Sequence, residues 1–276
     1  RAVPLGDPHR SYRDRGHKPE VIVALESMVI LSGIRPLSKI RTAVRRSGIP
    51  ELTALVDMED LSNVIPQLLR FALNIGSTAG VRLHEQLVAA APHMDQGAVL
   101  EQLAHYYPGD PAVVMAVLLN LVHLGPGQAL YTPPGQVHAL VSGAGIELMA
   151  NSDNVLRAGL TSKPVHLEEF LTVSILRPVS PVLVVPTMKS PAECVYSAPV
   201  EEFQLSIIDL EVGGTVLSRQ GPEILLLLGD IAHLRWSEGD LILRRGGVAF
   251  VPAVVKEYEA RGAGKLYRAC MPDRSS

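Results

Sequence analysis

The chain has 276 residues, of which 47% are hydrophobic and 19% are charged, and its formal net charge is −3. A chain of this length usually forms about two domains, and this balance of apolar and charged residues argues against intrinsic disorder. Because the charge is slightly negative and forms no basic stripe, we do not expect nucleic acid as a partner.

The cysteine content and the hydropathy argue against a secreted or membrane protein. Cys194 and Cys270 are the only cysteines, and two thiols in a chain this long do not make a disulfide framework. The most apolar segment, Val113–Leu124, is about half as long as a membrane span and contains Asn120 and His123. We therefore predict a cytoplasmic protein in which this segment is core.

The first twenty residues end in the motif His17–Glu20, which reads HKPE. Pro19 biases Lys18 towards an extended conformation, so Glu20 lies where a strand or loop gives way to the next element, predicted to be a helix. Taken alone, the carboxylate of Glu20 is typical of the first turn of a helix, where it faces the positive end of the helix dipole.

The next hundred residues, from 21 to about 117, have a helical pattern. An apolar run ends at Gly33, and amphipathic segments with a spacing of about 3.6 residues follow it. The predicted helices are Val21–Leu31, Pro36–Ser47, Leu61–Leu73, Ser77–Ala90 and a short one near 96–105.

The stretch from Leu118 to Lys163 begins as short antiparallel strands, in which apolar residues alternate with turn residues. Gly127, Pro133 and Gly135 fix a strand–turn–strand corner that presents the imidazole of His138.

The second half of this stretch is crowded with polar residues: Glu147, Asp153, Asn154, Arg157 and Lys163. A buried strand has no packing reason to carry so many polar groups, because each would need a partner. This crowding indicates a functional site.

After Lys163 the pattern changes to short strands separated by glycine pairs and Gly229-Asp230. The predicted strands are Leu171–Ile175, Val182–Val185, Leu205–Leu210, Thr215–Leu217, Ile224–Leu228, Leu241–Leu243 and Val248–Val251. Gly246, Pro252 and Glu257 faintly repeat the earlier corner, with a glutamate in the place of His138.

These motifs together resemble type I mannose-6-phosphate isomerase, a family of the cupin superfamily. The resemblance covers nearly the whole chain and is most specific at Met149–Lys163, which reads MANSDNVLRAGLTSK, and at His17–Glu20. Three positions depart from the family pattern: Leu140 replaces the tyrosine of its HAY motif, Gln128 replaces the glutamate of its GEA motif, and Ser142 replaces an asparagine after His138.

The resemblance implies a mainly β fold with a helical insertion and two cupin-type jelly-roll barrels, the first of them incomplete. Residues 1–20 and 118–170 would belong to the catalytic barrel, and residues 21–117 to the helical domain. Residues 171–276 would form a second, cupin-like β domain that lacks a metal site.

The resemblance also implies one zinc ion per chain, with Glu20 and His138 as two of its four ligands. The family completes the set with a Gln-x-His pair on an earlier strand, and no such pair precedes Glu20 here. Because the family has further residues ahead of this point and the chain does not begin with methionine, we expect an N-terminal truncation, which would leave the first barrel without several strands and half of its metal site. In the alternative, the partial sequence is only what was available and the native protein is complete.

Further roles follow from the same resemblance. Arg157 would stabilise a charged intermediate or clamp the substrate, and Lys163 would contact the phosphate. Glu147 would shuttle protons and Lys18 would assist proton transfer or hold a hydroxyl. Asp153 and Asn154 would orient Arg157 or the metal ligands.

The leading hypothesis is therefore a zinc-dependent isomerase that interconverts mannose 6-phosphate and fructose 6-phosphate. We expect it to work as a monomer on a small-molecule sugar phosphate. A non-catalytic sugar-phosphate-binding or regulatory cupin is the main alternative. A metal cupin isomerase acting on another sugar phosphate is a third. An oxygen-activating cupin is disfavoured, because the residues present do not assemble its 2-His-1-carboxylate triad.

Overall fold

The computed structural model describes residues 14, 16–58, 60, 63–73, 77–218 and 221–272, and over these the chain is mainly β with several helices. Two compact units can be distinguished by their internal contacts. The first consists of the described residues up to Ile146 together with Asn151–Val182. The second consists of Glu147–Ala150 and the described residues from Leu183 onward.

The helices are amphipathic and bury their apolar faces in one core with residues such as Ile40, Leu68 and Leu100. Their bounds are α1 (Leu37–Ser47), α2 (Pro50–Val56), α3 (Val64–Leu73), α4 (Ser77–Ala90), α5 (Gly97–Tyr106), α6 (Met115–Leu118) and α7 (Leu167–Val173), with short 3₁₀ turns at Ala91–His93, Pro111–Val114 and Leu210–Val212. The helices predicted near α1, α3, α4 and α5 are thereby confirmed, whereas α2 was not predicted.

The first part of the chain also carries strands that position the candidate site. They are β1 (Glu20–Ala24), β2 (Met28–Ile34), β3 (Leu119–Leu124), β4 (Ala129–Thr132), β5 (His138–Ser142) and β6 (Gly145–Met149). In one sheet β1 lies between β4 and β6, and in another β2 lies between β3 and β5. Glu20 and His138 are the first residues of their strands, opposite Thr132 and Ser32 respectively.

The prediction of a helix over Val21–Leu31 is wrong, because this segment forms β1 and the first part of β2. Every residue of β1 is buried, as is nearly all of β2, so no polar face marks a helical period. A short run rich in β-branched residues suits a strand that is buried on both faces, and periodicity alone does not separate this from a buried helix.

The prediction of a strand over Leu171–Ile175 is also wrong, because the chain forms α7 there. Glu168 and Glu169 lie in the first turn of α7, where negative charge stabilises a helix, and Leu167 and Phe170 are buried three residues apart.

The remaining strands are β7 (Val182–Val184), β8 (Thr187–Met188), β9 (Glu193–Tyr196), β10 (Gln204–Asp209), β11 (Thr215–Ser218), β12 (Glu223–Trp236), β13 (Gly239–Arg244), β14 (Val248–Val251) and β15 (Glu257–Cys270). The long strands β12 and β15 pair antiparallel with a bulge between Gly229 and Ile231. The strands predicted in this region are confirmed except for the one replaced by α7, while β8, β9 and β15 were missed.

A buried ionic network lies in the core of the second unit. Arg268 Nη1 donates to Glu193 Oε1 at 2.8 Å, and its Nη2 donates to Glu223. Ser206 Oγ donates to Glu193 Oε1 at 2.8 Å, and Tyr258 donates to Glu223 Oε2 at 2.9 Å. Although burial opposes the charge of Arg268, the hydrogen bond to Glu223 outweighs it and raises the arginine pKa.

The apolar segment Val113–Leu124 is core, as predicted, and is divided between a 3₁₀ turn, α6 and β3. Its Asn120 donates to the carbonyl oxygens of Ser32, Gly33 and Val179, which satisfies its amide inside the fold. Across the described ranges, no helix has both the length and the apolar character that crossing a membrane would require.

Candidate metal centre and active-site cleft

A cleft of about 810 Å³ opens within the first unit. One wall is a continuous segment, Asn154–Thr161, and the opposite side is formed by residues before β1 and by the turn that leads into β5. The charged and polar side chains that line it include Lys18, Glu20, His138, Asn154 and Arg157. Five residues singled out from the sequence therefore meet at one concave surface, although they are far apart in the chain.

Glu20 is the buried carboxylate of this cleft, with a relative exposure of 8%. Lys18 Nζ donates to its Oε1 at 2.5 Å, and His138 Nε2 lies 3.1 Å from its Oε2. Burial alone would raise the pKa of Glu20, but the hydrogen bonds from His138 and Lys18 outweigh it and hold the pKa below its ordinary value. Glu20 is therefore a carboxylate anion, which is the form that binds a cation.

His138 is presented by the predicted corner. Gly127 and Gly135 both have positive φ angles, and a Cβ on Gly135 would lie 2.9 Å from the carbonyl oxygen of Val173. The ring nitrogen Nδ1 lies 3.0 Å from the carbonyl oxygen of Gln136, an acceptor, so Nδ1 carries the proton. The other nitrogen, Nε2, is the one that faces Glu20.

Gln136 is held within the fold and is not aimed at the metal centre. Its Nε2 donates to Ser32 Oγ at 2.9 Å, and the residue is 6% exposed. The run Gln136-Val137-His138 has the spacing of a Gln-x-His motif, but the family carries that motif on an earlier strand. The hydrogen bond from Gln136 to Ser32 agrees with the interpretation that Gln136 is not a metal ligand.

Glu147, predicted as the proton shuttle, lies on β6 and is exposed. Glu147 belongs to the second unit. Its catalytic role stays a prediction.

Arg157 lines the cleft and is partly exposed. Within the part of the chain that the structure describes, its guanidinium has no carboxylate partner, so the cation faces the cleft without a neutralising anion. An arginine in this state is suited to bind an oxyanion of a ligand.

The other predicted residues of this segment differ in placement. Asn154 lines the cleft, and its Nδ2 donates to Asp14 Oδ1 at 2.9 Å and to the carbonyl oxygen of Gly16 at 2.8 Å. Asp153 is exposed, and its amide donates to Asp14 Oδ2 at 3.0 Å. Lys163 is exposed and does not line the cleft; its amide donates to Thr161 Oγ1 at 3.1 Å.

Asp14 was not predicted as a site residue, although its neighbours Lys18 and Glu20 were. Hydrogen bonds, above all the one from the Asp153 amide, hold its pKa below the ordinary value although desolvation opposes them. The signal that could have revealed it is its place three residues before His17, where the HKPE motif begins. Tyr12, Arg13 and Arg15, which precede or follow it closely, lie outside the described residues.

The donor set fits zinc. Imidazole nitrogen and carboxylate oxygen are ordinary zinc ligands. A ligating histidine is usually oriented by a hydrogen bond from its other ring nitrogen to an acceptor such as a backbone carbonyl. His138 and Glu20 have this arrangement.

Comparison with known proteins agrees with this chemistry. Mannose-6-phosphate isomerase from Salmonella typhimurium is 32% identical over 276 residues, which cover 96% of this chain and 69% of that protein. Mannose-6-phosphate isomerase 1 from Arabidopsis thaliana is 31% identical over 288 residues, covering 95% of this chain and 66% of that protein. No protein-family model matches the chain.

Solved structures give the same result. A zinc-bound mannose 6-phosphate isomerase has a TM-score of 0.86 at 30% identity, covering 98% of this chain and 70% of that one. An alanine variant of phosphomannose isomerase from Salmonella typhimurium has a TM-score of 0.87 at 31% identity, covering 97% of this chain and 70% of that one. Sequence and fold agree over nearly all of this chain and over more than two thirds of the Salmonella protein, and the chain therefore belongs to the mannose-6-phosphate isomerase family.

Proposed function

We propose that the protein is a zinc-dependent aldose–ketose isomerase that interconverts mannose 6-phosphate and fructose 6-phosphate. The observation that carries the proposal is the convergence of Lys18, Glu20, His138 and Arg157 on one cleft in a chain of this family. Glu20 and His138 supply metal ligands, Lys18 supplies a polar group next to them, and Arg157 supplies a cation that can bind an oxyanion.

The reaction moves a proton between adjacent carbons and another between their oxygens, through an enediol-type intermediate. Glu20 and His138 would be two of the ligands that hold the zinc ion. When bound, zinc supplies an electrophile that polarises hydroxyl and carbonyl oxygens.

The protein's own groups would do the rest of the work. Arg157 stabilises the negative charge that develops on the substrate oxygens, since no carboxylate among the described residues competes for its guanidinium. Lys18 holds a substrate hydroxyl or assists proton transfer from its position against Glu20. Glu147 remains the proposed proton shuttle, and Asp153 and Asn154 keep the Arg157 segment in place through Asp14.

The phosphate anchor is proposed to be Lys163. Its side chain is exposed, and its hydrogen bond among the described residues is made by the backbone amide, so its charge can follow a ligand. An exposed lysine on a loop can reach an anion as a flexible point charge, in contrast to the oriented guanidinium of Arg157.

The test is turnover of mannose 6-phosphate and fructose 6-phosphate by the metal-free protein before and after zinc is added. We expect isomerisation in both directions that appears with zinc and disappears with a chelator. Failure of the zinc-loaded protein to turn over either sugar phosphate would overturn the proposal. Stronger turnover of another sugar phosphate would redirect it to a different isomerase.

A non-catalytic sugar-phosphate-binding protein is the second candidate. One observation favours it: both oxygens of Glu20 already have partners, Lys18 and His138, so this carboxylate is neutralised without a metal. Titration calorimetry with mannose 6-phosphate separates the two, because binding with no turnover at any zinc concentration supports the second candidate alone.

The organisation of the protein forms a further part of the proposal. We infer two cupin-type barrels, of which the one formed by residues 171–276 has no metal site, and a monomer in the cytoplasm. Free thiols at Cys194 and Cys270 support a reducing compartment. Light scattering on the purified protein tests the monomer, and a mass of twice the chain would contradict it.

A further inference from the structure

The wall of the cleft that carries Arg157 has no regular secondary structure. Residues 150–166, between β6 and α7, form neither helix nor strand, yet eight consecutive residues of this segment line the cleft. Such a segment has no ladder of backbone hydrogen bonds to fix it, so its polar groups need other partners. Two carboxylates from distant parts of the chain supply them.

Asp14 holds the beginning of the segment. Its Oδ1 accepts from Ser152 Oγ at 3.0 Å and from Asn154 Nδ2 at 2.9 Å, and its Oδ2 accepts from the amide of Asp153 at 3.0 Å. The same carboxylate accepts from the amide of Gly16 at 2.6 Å. One side chain thus joins the segment before the metal ligand Glu20 to three successive residues of the wall.

Asp110 holds the other end. Its Oδ1 accepts from the amide of Ala112 at 2.8 Å, and its Oδ2 accepts from the amide of Leu160 at 2.9 Å. Leu160 has a φ of 51°, and it is the only residue other than glycine with positive φ in the described part of the chain. A bulky residue in this conformation persists only where its surroundings fix it.

Arg157 lies midway between these attachments, three residues after Asn154 and three before Leu160. We propose that Asp14 and Asp110 are positioning residues that act together as a clamp, holding the guanidinium of Arg157 over the cleft. This inference rests on the proposed function and extends it. The clamp acts through the segment that carries Arg157, because the contacts that both carboxylates make with this segment are to neighbours of the arginine.

Carboxylates suit this role because an ionised aspartate only accepts hydrogen bonds, and every partner of Asp14 and Asp110 named above is a donor. An asparagine of the same size would turn its NH₂ group towards one of those donors. Asp14→Asn and Asp110→Asn therefore keep the volume of the side chain and remove part of the clamp.

The experiment is a double-mutant cycle on the zinc-loaded protein, with Arg157→Ala as the second substitution. We expect Asp14→Asn and Asp110→Asn each to lower kcat/KM for mannose 6-phosphate about 10- to 100-fold. In the Arg157→Ala background the same substitutions should cost less than about 3-fold, because the group that they position is gone. Asp230→Asn, which alters an exposed ion pair with Arg245, is the matched control and should change kcat/KM less than about 2-fold.

Hydrogen exchange measures the clamp without relying on activity. We expect faster exchange of the Asp153 amide in Asp14→Asn and of the Leu160 amide in Asp110→Asn, with no change in Asp230→Asn. The clamp would be overturned if Asp14→Asn and Asp110→Asn lowered kcat/KM by the same factor in the Arg157→Ala background, or if exchange at both amides were unchanged. In either case, turnover by the wild-type protein would still support the proposed function. If the wild-type protein has no isomerase activity, the proposed function fails and exchange alone decides whether the two carboxylates fix the segment.

Discussion

His138 Nε2 lies 3.1 Å from Glu20 Oε2, although the strands that begin with these residues belong to two different sheets. Glu20 starts β1 and His138 starts β5, which pairs with β2, the strand that follows β1. The donor pair therefore depends on the connection between β1 and β2, which places the ends of both sheets at the same cleft. A metal bound here would link them directly.

Replacing Glu20 by glutamine should weaken zinc binding. The amide keeps the size of the side chain but removes the negative charge that His138 and Lys18 now stabilise. We expect zinc affinity to fall at least about 10-fold, since even the outer partners of metal ligands carry about that much. Competition with a chromophoric chelator measures the affinity.

The matched control is Glu51→Gln, at an exposed glutamate in the first turn of α2. Its zinc affinity should equal that of the wild type. Equal affinities of wild type, Glu20→Gln and Glu51→Gln would remove Glu20 from the metal site.

Arg157 and Lys163 should have separable kinetic effects. Arg157→Ala should lower kcat about 100-fold or more, because the arginine is proposed to stabilise charge that develops in the transition state. Lys163→Ala should raise KM and leave kcat nearly unchanged, because a phosphate contact is made equally in the ground state and the transition state. Steady-state kinetics with mannose 6-phosphate give both constants.

Inhibition by inorganic phosphate provides a check on this assignment. It should weaken in Lys163→Ala and change little in Arg157→Ala. A loss of phosphate inhibition confined to Arg157→Ala would assign the phosphate to the arginine instead.

Local chemistry made part of the site predictable from the sequence. The glycines and proline of the corner before His138 have a fixed conformational meaning, and the density of polar residues after Glu147 required partners. Glu20 was predicted as a ligand from its motif, whereas the helix expected after it is wrong, because a fully buried run has no polar face that reveals its period.

The contacts that hold the site together were not predictable, because they join residues far apart in the chain. An aspartate before Pro111 is a familiar start for a helical turn, and Asp110 does accept from the amide of Ala112. Its second contact is with the amide of Leu160, fifty residues further along the chain, and no local sequence pattern indicates it. The strand β15 was missed for another reason: Gly262 and Gly264 interrupt its apolar alternation where β12 bulges.

Gly159→Ala should impair the cleft far more than Gly48→Ala, although both glycines have positive φ angles. A Cβ on Gly159 would lie 2.2 Å from that of Ala112, whereas a Cβ on Gly48 would meet no atom within 4 Å. Gly48→Ala should cost only the strain of a left-handed alanine, about 1 kcal/mol of unfolding free energy. Gly159→Ala must displace the Arg157 segment and should lower kcat/KM about 10- to 100-fold.

Urea unfolding and steady-state kinetics, both measured on the two variants, test this difference. Equal effects on kcat/KM would show that the packing of Gly159 against Ala112 does not shape the cleft.

Asp95→Asn should destabilise the first unit in a pH-dependent way. Arg35, which follows β2, is buried, and its Nη1 donates to Asp95 Oδ1 at 3.2 Å; this bond holds the pKa of Asp95 below its ordinary value although desolvation opposes it. Because the carboxyl is 45% exposed, we expect a loss of about 1 to 2 kcal/mol at pH 7, less than for a fully buried pair.

The sign of the pH dependence follows from the depressed pKa of Asp95. The stabilisation is complete above the pKa of the unfolded state and is lost as the pH falls through the lower pKa of the folded state. The difference in unfolding free energy between wild type and Asp95→Asn should therefore be constant from pH 8 to about 5 and shrink below about 4. Asp57→Asn, in an exposed pair with Arg45, is the control, and an equal or larger loss there would contradict the role of Arg35–Asp95.

Arg268→Met should destabilise the second unit by about 3 to 5 kcal/mol, because it leaves Glu193 and Glu223 buried without their shared cation. Trp236, the only tryptophan of the chain, lies in β12 against the core of this unit, so its fluorescence during urea unfolding reports the loss. Arg245→Met, at an exposed ion pair, should cost less than about 1 kcal/mol. A deficit in Arg268→Met that is equally small would mean that solvent reaches the two carboxylates and that the network does not hold the core of the unit together.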